Sequence, residues 1–326
     1  RFGAKLFALG VNVLIAAGLA MLGLAPGYAA VLVAVFVMGF GAGTLDMILS
    51  PIVSALQPHR RSAAMNWLHS FYCTGAVVTV LAASVALKID LGCRTISLWL
   101  VSMPLLVAAG FVALRLPPLL DAGHARTRLR DLGRQRFFLV ALAAIFLGGA
   151  TEAGLAQWLP AYAEKGLGYS TWTGGMALLW FSVAMAVGRI GVGLLEGRAR
   201  PIPLMLWCCW GTVGLFIVGC FAPWPAVALG ACIVAGLTGS CLWPTTLAVT
   251  ADRFPRGGAS MFGMLAAMGN IGGICMPWLV GLVADHAPLN LGLATATLCP
   301  LLMAGLLVWM ARQAQPAEVR GEVVAA

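Results

Sequence analysis

Residues 137–161 read FFLVALAAIFLGGATEAGLAQWLPA, a continuous run in which Glu152 is the only charged side chain. An α-helix rises about 1.5 Å per residue, so roughly 20 residues cross the hydrocarbon core of a bilayer, which is about 30 Å thick. The run is therefore long enough to span a membrane. Because a transmembrane β-strand needs only about ten residues of alternating polarity, this stretch predicts a membrane helix.

Nine further runs of the same kind occur along the chain. The ten predicted spans cover residues 6–24, 29–54, 63–87, 95–115, 137–161, 173–193, 202–222, 225–250, 260–284 and 289–311. Hydrophobic residues make up 61% of the 326 positions and charged residues 10%, whereas a soluble domain carries roughly 25% charged residues. This composition excludes a soluble fold and a disordered chain. Backbone polar groups in lipid must be satisfied internally, so the sequence predicts an all-α membrane protein, a bundle of ten transmembrane helices.

One connection between spans is longer and more polar than the others. Residues 116–136 carry five arginines and separate four spans from six. We therefore predict an N-terminal bundle over residues 1–115, a cytoplasmic linker over residues 116–136, and a C-terminal bundle over residues 137–326 that ends in a short cytoplasmic tail.

The basic residues lie mostly on one side of the predicted membrane. Sixteen of the twenty Lys and Arg residues fall on the side of the N-terminus, and three, Lys88, Arg94 and Lys165, fall on the other. Since cytoplasmic loops carry such an excess, both termini are predicted in the cytoplasm of a multi-pass plasma-membrane protein, in bacteria the inner membrane. The net charge of +9 then reflects topology and not a nucleic-acid partner, and we expect a monomer surrounded by lipid. Arg189 lies near the cytoplasmic end of its run and is expected to snorkel to the headgroups.

Two acidic residues, Asp46 and Glu152, fall well inside apolar runs. A charge at the bilayer centre costs about 2.5–3.5 kcal/mol on insertion scales, so such a residue is neutralised, paired, or directed at a water-filled cavity. A carboxyl that takes up a proton in one conformation and releases it in another can carry protons, and we assign this role to Asp46. The alternative is a structural polar contact that joins two spans.

His69 is the predicted partner of Asp46 in proton coupling. It lies eight residues after Arg61, and Asp46 lies about as far before the same loop. Spans joined by a short loop are antiparallel neighbours, so the two side chains should lie within roughly one or two helical turns in depth. A buried histidine bonded to a backbone carbonyl is the alternative. Sodium coupling also stays open, because a carboxylate with amide oxygens can hold Na⁺.

Several polar and aromatic side chains inside the spans are candidates for binding a small polar solute. A sugar needs hydrogen-bonding side chains and an aromatic surface against its apolar face. The predicted substrate-binding residues are Asn66, Glu152, Gln157, Trp180, Trp243 and Asn270. The alternative for Asn66 is a contact that holds two helices together.

A cytoplasmic loop at residues 193–200 reads GLLEGRAR and is the predicted gate. Gly193 permits close approach of helices, and Glu196, Arg198 and Arg200 can pair across the bundle in one access state. For the two arginines, ordinary excess of positive charge in the cytoplasm is the alternative.

This loop resembles the cytoplasmic signature of the major facilitator superfamily, which consists of Gly, a spacer, an acid and then basic residues. Residues 1–5 read RFGAK and look like a second copy without its leading Gly and acid. In that family the signature follows the second and the eighth of twelve spans. The resemblance implies that this chain holds ten of an expected twelve helices and lacks the first two.

Four other stretches resemble the fucose permease-like branch of that family, a group of proton-coupled sugar symporters. They are DMILSP at residues 46–51, NWLHSFYCTGA at 66–76, GSCLWPT at 239–245 and GGICMP at 272–277. The resemblance implies that Asp46 is the coupling acid. It also implies a secondary transporter that moves a sugar or similar small polar solute with a proton by alternating access.

Other functions stay open from the sequence. A proton-driven exporter of drugs or metabolites would share the fold, and so would a non-transporting membrane sensor or scaffold. An enzyme is disfavoured, because the chain has no H-E-x-x-H, G-x-S-x-G or phosphate-binding G-x-x-x-x-G-K motif. Its nine cysteines form no C-x-x-C pair, so neither a metal nor a cofactor is predicted.

Overall fold

The computed structural model describes residues 4–114 and 129–314. Three predicted features lie partly outside these ranges. They are the opening motif at residues 1–5, the linker at 116–136 and the cytoplasmic tail.

Fifteen α-helices and one π-helical turn make up the described ranges. The first group is α1 (Ala4–Leu24), α2 (Tyr28–Leu56), α3 (Arg61–Lys88), α4 (Cys93–Leu100), α5 (Ser102–Ala113) and α6 (Leu129–Leu132). The second group is α7 (Arg136–Ala156), α8 (Leu159–Ala161), the π-helical turn Tyr162–Gly166, α9 (Thr171–Leu194) and α10 (Pro201–Phe221). The third group is α11 (Pro225–Gly239), α12 (Leu242–Arg253), α13 (Gly258–Ala284), α14 (Leu289–Thr295) and α15 (Leu298–Ala314).

Ten segments of the described chain are long and apolar enough to cross a membrane, which confirms the predicted all-α membrane fold with ten spans. Helices α1, α2, α3, α9, α10 and α13 each account for one span. The other four spans are interrupted helices: α4 with α5, α7 with α8 and the π-helical turn, α11 with α12, and α14 with α15.

The described residues form two compact units. The first contains Arg1–Pro58 with Val78–Arg126, and the second contains His59–Val77 with Thr127–Ala326. Residues 59–77, the beginning of α3, therefore group with the second unit, although they precede the predicted linker. The division into bundles at residues 1–115 and 137–326 stays a prediction.

In the first unit, α1 is the central helix, and it packs on α2, α4 and α5. Small residues allow close contact: a Cβ atom at Gly18 would lie 2.7 Å from the Met38 nitrogen. At one end of the unit, Arg94 Nη2 donates to the Ala25 carbonyl oxygen over 2.9 Å.

In the second unit, the most extensive helix contact joins α7 to α13. A Cβ atom at Gly272 would collide with the Phe146 carbonyl oxygen, and one at Gly149 would collide with the Gly269 carbonyl oxygen. The two backbones approach this closely because glycine occupies the contact positions. Glu152 lies one turn after Gly149 on α7, so its position is fixed by this packing.

The interruption between α11 and α12 follows from Pro244. In a continuous helix the Ser240 carbonyl oxygen would accept a hydrogen bond from the backbone nitrogen of residue 244. Proline has no N–H to donate, so that carbonyl oxygen needs another partner. Helix α11 ends at Gly239 and α12 begins at Leu242, which leaves Ser240 in the turn between them.

Candidate functional site

The described part of the second unit contains a buried ion pair between Arg189 on α9 and Glu152 on α7. Arg189 Nη2 lies 2.7 Å from Glu152 Oε2. The Arg189 side chain is 2% exposed and the Glu152 side chain 17% exposed. Glu152 lies in the middle of the span Arg136–Gly166, so the pair lies well inside the predicted membrane.

Three further hydrogen bonds fix the Arg189 guanidinium. Nε donates to the Ser240 carbonyl oxygen over 3.0 Å, which is the carbonyl that Pro244 leaves without its helical partner. Nη1 donates to the His69 carbonyl oxygen over 2.7 Å and to Cys73 Sγ over 3.1 Å. Arg189 therefore connects α7, α9, the α11–α12 turn and the first half of α3.

Gly188 allows Arg189 to reach Ser240. A Cβ atom at position 188 would collide with Ser240 Oγ and would lie 2.5 Å from the Leu237 carbonyl oxygen. The absence of a side chain at this position brings α9 close to the end of α11. The short distance then lets the neighbouring guanidinium satisfy the free carbonyl, as required for backbone groups within a membrane.

The prediction that Arg189 snorkels to the headgroups is wrong. The side chain is buried because a carboxylate and two backbone carbonyl oxygens within the protein satisfy its charge and its donors. The position of Arg189 along its run indicated neither the side of the helix on which it lies nor the partners that its side chain meets.

Tyr72 and Cys73 belong to this site although no sequence argument selected them. The Tyr72 ring lies 5.8 Å from the Arg189 guanidinium carbon, within range of a cation–π contact, and Tyr72 is 64% exposed. The signal that could have identified Tyr72 is its spacing, because it lies one helical turn after the predicted site residue His69.

His69 and Asn66 lie on the buried side of α3. The His69 backbone, and not only its imidazole, takes part in the site through the hydrogen bond from Arg189. Asn66 Nδ2 donates to Thr245 Oγ1 on α12 over 3.0 Å and to the Ser62 carbonyl oxygen over 2.9 Å. This contact joins two helices, which is the alternative left open for Asn66, and its role in substrate binding stays a prediction.

The remaining predicted substrate-binding residues have different surroundings. The Trp243 ring packs on Gly149 and Gly269, and its Nε1 is buried without a hydrogen-bond partner among the described residues. Asn270 is exposed, and its Nδ2 donates to the Ala266 carbonyl oxygen on its own helix over 2.9 Å. Trp180 and Gln157 are both exposed, and Gln157 caps the end of α7. Among the six predicted substrate-binding residues, Glu152 is the one that contacts the Arg189 guanidinium directly.

The predicted gate contacts the beginning of α3. Glu196 Oε2 accepts a hydrogen bond from the Ala63 backbone nitrogen over 2.5 Å, in the first turn of α3. A Cβ atom at Gly193 would collide with the Trp67 indole nitrogen. A carboxylate is favourable at a helix N-terminus because the first backbone N–H groups have no partner within the helix.

Other gate residues contribute less to these contacts. Arg198 and Arg200 are exposed, and neither makes an ion pair with a residue that the structure describes. Instead Arg61, which was not selected, places Nη1 2.8 Å from Asp252 Oδ1 on α12. A gating role for Gly193, Glu196, Arg198 and Arg200 stays a prediction.

Asp46 belongs to the first unit. It lies within α2, five residues before Pro51, and its side chain is partly buried. Its predicted roles as proton carrier and as partner of His69 stay predictions.

A sequence model of the Major Facilitator Superfamily matches residues 1–216. No curated protein matches the chain significantly in sequence. Three solved structures resemble its fold. A Major Facilitator Superfamily transporter, FucP, in the outward conformation has a TM-score of 0.78 at 20% identity, over 94% of this chain and 83% of that one. A variant of the E. coli fucose:proton symporter FucP has a TM-score of 0.76 at 20% identity. That match covers 94% of this chain and 84% of the symporter. The human organic anion transporter MFSD10 (TETRAN) has a TM-score of 0.74 at 17% identity. That match covers 94% of this chain and 77% of MFSD10. At these identities the likeness shows the fold.

Proposed function

The chain belongs to the major facilitator superfamily, and from this membership we propose a secondary active transporter that moves a sugar or similar small polar solute together with a proton by alternating access. Membership makes the protein a membrane transporter and not an enzyme. Family membership does not specify the solute or the coupling ion, and both are our proposal. The similarity in fold to a fucose:proton symporter supports both additions.

The observation that best supports this proposal is the Glu152 side chain, which lies in the middle of a membrane span and keeps 17% of its surface exposed. An ionised group does not face lipid at this depth, so its exposed part faces a water-filled space. A polar solute needs hydrogen-bonding groups at such a depth, and the Tyr72 ring beside Arg189 offers an aromatic surface.

We assign proton coupling to Asp46 with His69, and gating to the 193–200 loop. Asp46 is an acid within α2, five residues before Pro51, which interrupts the helical hydrogen bonds. Glu196 and Gly193 hold the beginning of α3 on the predicted cytoplasmic side, and release of these contacts would accompany opening to that side.

Transport by the purified chain in proteoliposomes tests the proposal. An inward proton gradient should drive accumulation of a radiolabelled hexose, and a protonophore should abolish it. Asp46→Asn should lose accumulation at least roughly tenfold while keeping hexose counterflow, because exchange needs no net proton movement. Asp285→Asn, which removes an acid at the end of α13, serves as the matched control and should transport normally.

Two outcomes would contradict parts of the proposal. If Asp46→Asn accumulates hexose as the unmodified protein does, Asp46 is not the proton carrier. If a sodium gradient drives accumulation and a proton gradient does not, the coupling ion is Na⁺.

A further inference from the structure

The charge on Arg189 is permanent, because a guanidinium is not deprotonated in proteins. Four of its five N–H donors are committed to Glu152, Ser240, His69 and Cys73, and the side chain is 2% exposed. A solute therefore cannot reach this cation directly.

The buried Arg189 guanidinium has the Glu152 carboxylate as its counter-ion. If Glu152 lost its charge, the guanidinium would remain buried without a counter-ion, which is strongly destabilising. Glu152 therefore serves as the counter-ion of Arg189, a role different from the proton carriage that we propose for Asp46.

The free oxygen of Glu152 defines what it can bind. Oε2 is committed to Arg189, whereas Oε1 has no hydrogen-bond partner among the described residues, and the side chain keeps 17% of its surface exposed. An ionised carboxylate is only an acceptor of hydrogen bonds. It can receive a hydroxyl or ammonium donor, but it repels another carboxylate, because the two carry like charges.

No further positive side chain that the structure describes lies near Glu152 to bind an anionic solute. Among the described residues, the other Lys and Arg side chains belong to the ends of the spans or to the loops between them. Tyr72 presents an exposed ring next to the ion pair, which suits the apolar face of a sugar ring or an organic cation.

We propose that Glu152 determines the charge of the transported solute and that Arg189 is its positioning residue. The site accepts hydroxyl-bearing or amine-bearing solutes and rejects solutes that carry a carboxylate. This inference rests on the proposed function, since it specifies the solute class of the same transporter.

Binding of matched sugars to the purified full chain in lipid nanodiscs tests the inference. The probes are glucose, glucosamine and glucuronate, together with galactose, galactosamine and galacturonate. The unmodified protein should bind each uronate at least roughly tenfold more weakly than the parent hexose, because like charges at an interface are costly. The amino sugars should bind at least as tightly as the hexoses.

Charge variants separate this role from a merely structural one. Glu152→Gln leaves Arg189 without its counter-ion, so the ratio of uronate to hexose affinity should rise at least roughly tenfold. The double variant Glu152→Gln with Arg189→Gln lacks both charges of the pair and should bind both classes equally, and it provides a test if the single variant does not fold. Glu164→Gln, an exposed acid on the π-helical turn, is the control and should leave the ratio unchanged.

The outcomes distinguish this inference from the proposed function. Equal binding of uronates and hexoses by the unmodified protein, with hexose transport intact, overturns the inference alone. An unchanged ratio in Glu152→Gln does the same. Selective binding of hexoses without gradient-driven transport supports the inference and overturns the proposed function. Failure of the unmodified protein to bind any of the six sugars overturns both.

Discussion

At the scale of single residues, Arg189 is buried because of groups that are far apart in the sequence. Pro244 frees the Ser240 carbonyl oxygen, Gly188 lets α9 approach it, and Glu152 supplies the counter-ion. The sequence identified Glu152 as a site residue because it is an acid inside an apolar run. It did not identify Arg189, because its pairing depends on which sides of α7 and α9 face each other, and hydropathy carries no such information.

The ion pair should make its two residues strongly interdependent in stability. Glu152→Gln is expected to lower the free energy of unfolding by roughly 3–5 kcal/mol, because the remaining guanidinium is buried without a counter-ion. Arg189→Gln should also be destabilising, since it leaves the Ser240 carbonyl oxygen without a partner. The double variant should be less destabilised than the sum of the two single variants. Thermal unfolding of the purified proteins in one detergent measures these differences.

The exposed Glu164 on the π-helical turn provides the control for this cycle. Glu164→Gln should change the unfolding temperature little, because an exposed charge contributes little to stability. Strictly additive effects of the two single variants would show that Glu152 and Arg189 do not stabilise each other.

At the scale of helices, the beginning of α3 is held by three successive contacts from α9 and the loop that follows it. Glu196 binds the Ala63 nitrogen, Gly193 packs on the Trp67 ring, and Arg189 binds the His69 carbonyl oxygen. These contacts explain why residues 59–77 group with the second unit. The contacts run in opposite orders along the two segments, as expected where two segments are antiparallel.

Two glycines on α9 should respond in opposite ways to alanine. Gly193→Ala is expected to destabilise the protein by roughly 1–3 kcal/mol, because the new Cβ atom would collide with the Trp67 indole. Gly191→Ala meets no atom within 4 Å and should stabilise the helix by up to about 1 kcal/mol. Thermal unfolding temperatures of the two variants test this difference.

Replacement of the indole provides a check on the proposed cause. In a Trp67→Ala background, Gly193→Ala should cost much less than it does alone. If the cost is the same in both backgrounds, the collision with Trp67 is not its cause.

The sequence predicted the ten spans because hydropathy alone determines which segments cross the membrane. It did not predict the interruption between α4 and α5 or the π-helical turn at Tyr162–Gly166. These features depend on local packing: Tyr162, for example, donates its hydroxyl hydrogen to the Gly219 carbonyl oxygen on α10 over 2.8 Å. The break before α12 could have been anticipated from Pro244, since proline removes a defined backbone donor.

At the scale of the whole molecule, the distribution of basic residues predicts the orientation in the membrane. Lys165 is the single basic residue near Gly168, whereas Arg253 ends α12 and Arg256 lies in the loop between α12 and α13. Alkaline phosphatase fused after Gly168 should therefore be active outside the cytoplasm, and the same enzyme fused after Arg256 should be inactive. Green fluorescent protein at the same positions should give the opposite result, and at the C-terminus of the full chain it should fluoresce. The reversed pattern would place both termini outside the cytoplasm. The 193–200 loop would then lie on the outer side, and its contacts with α3 would close the transporter toward the exterior.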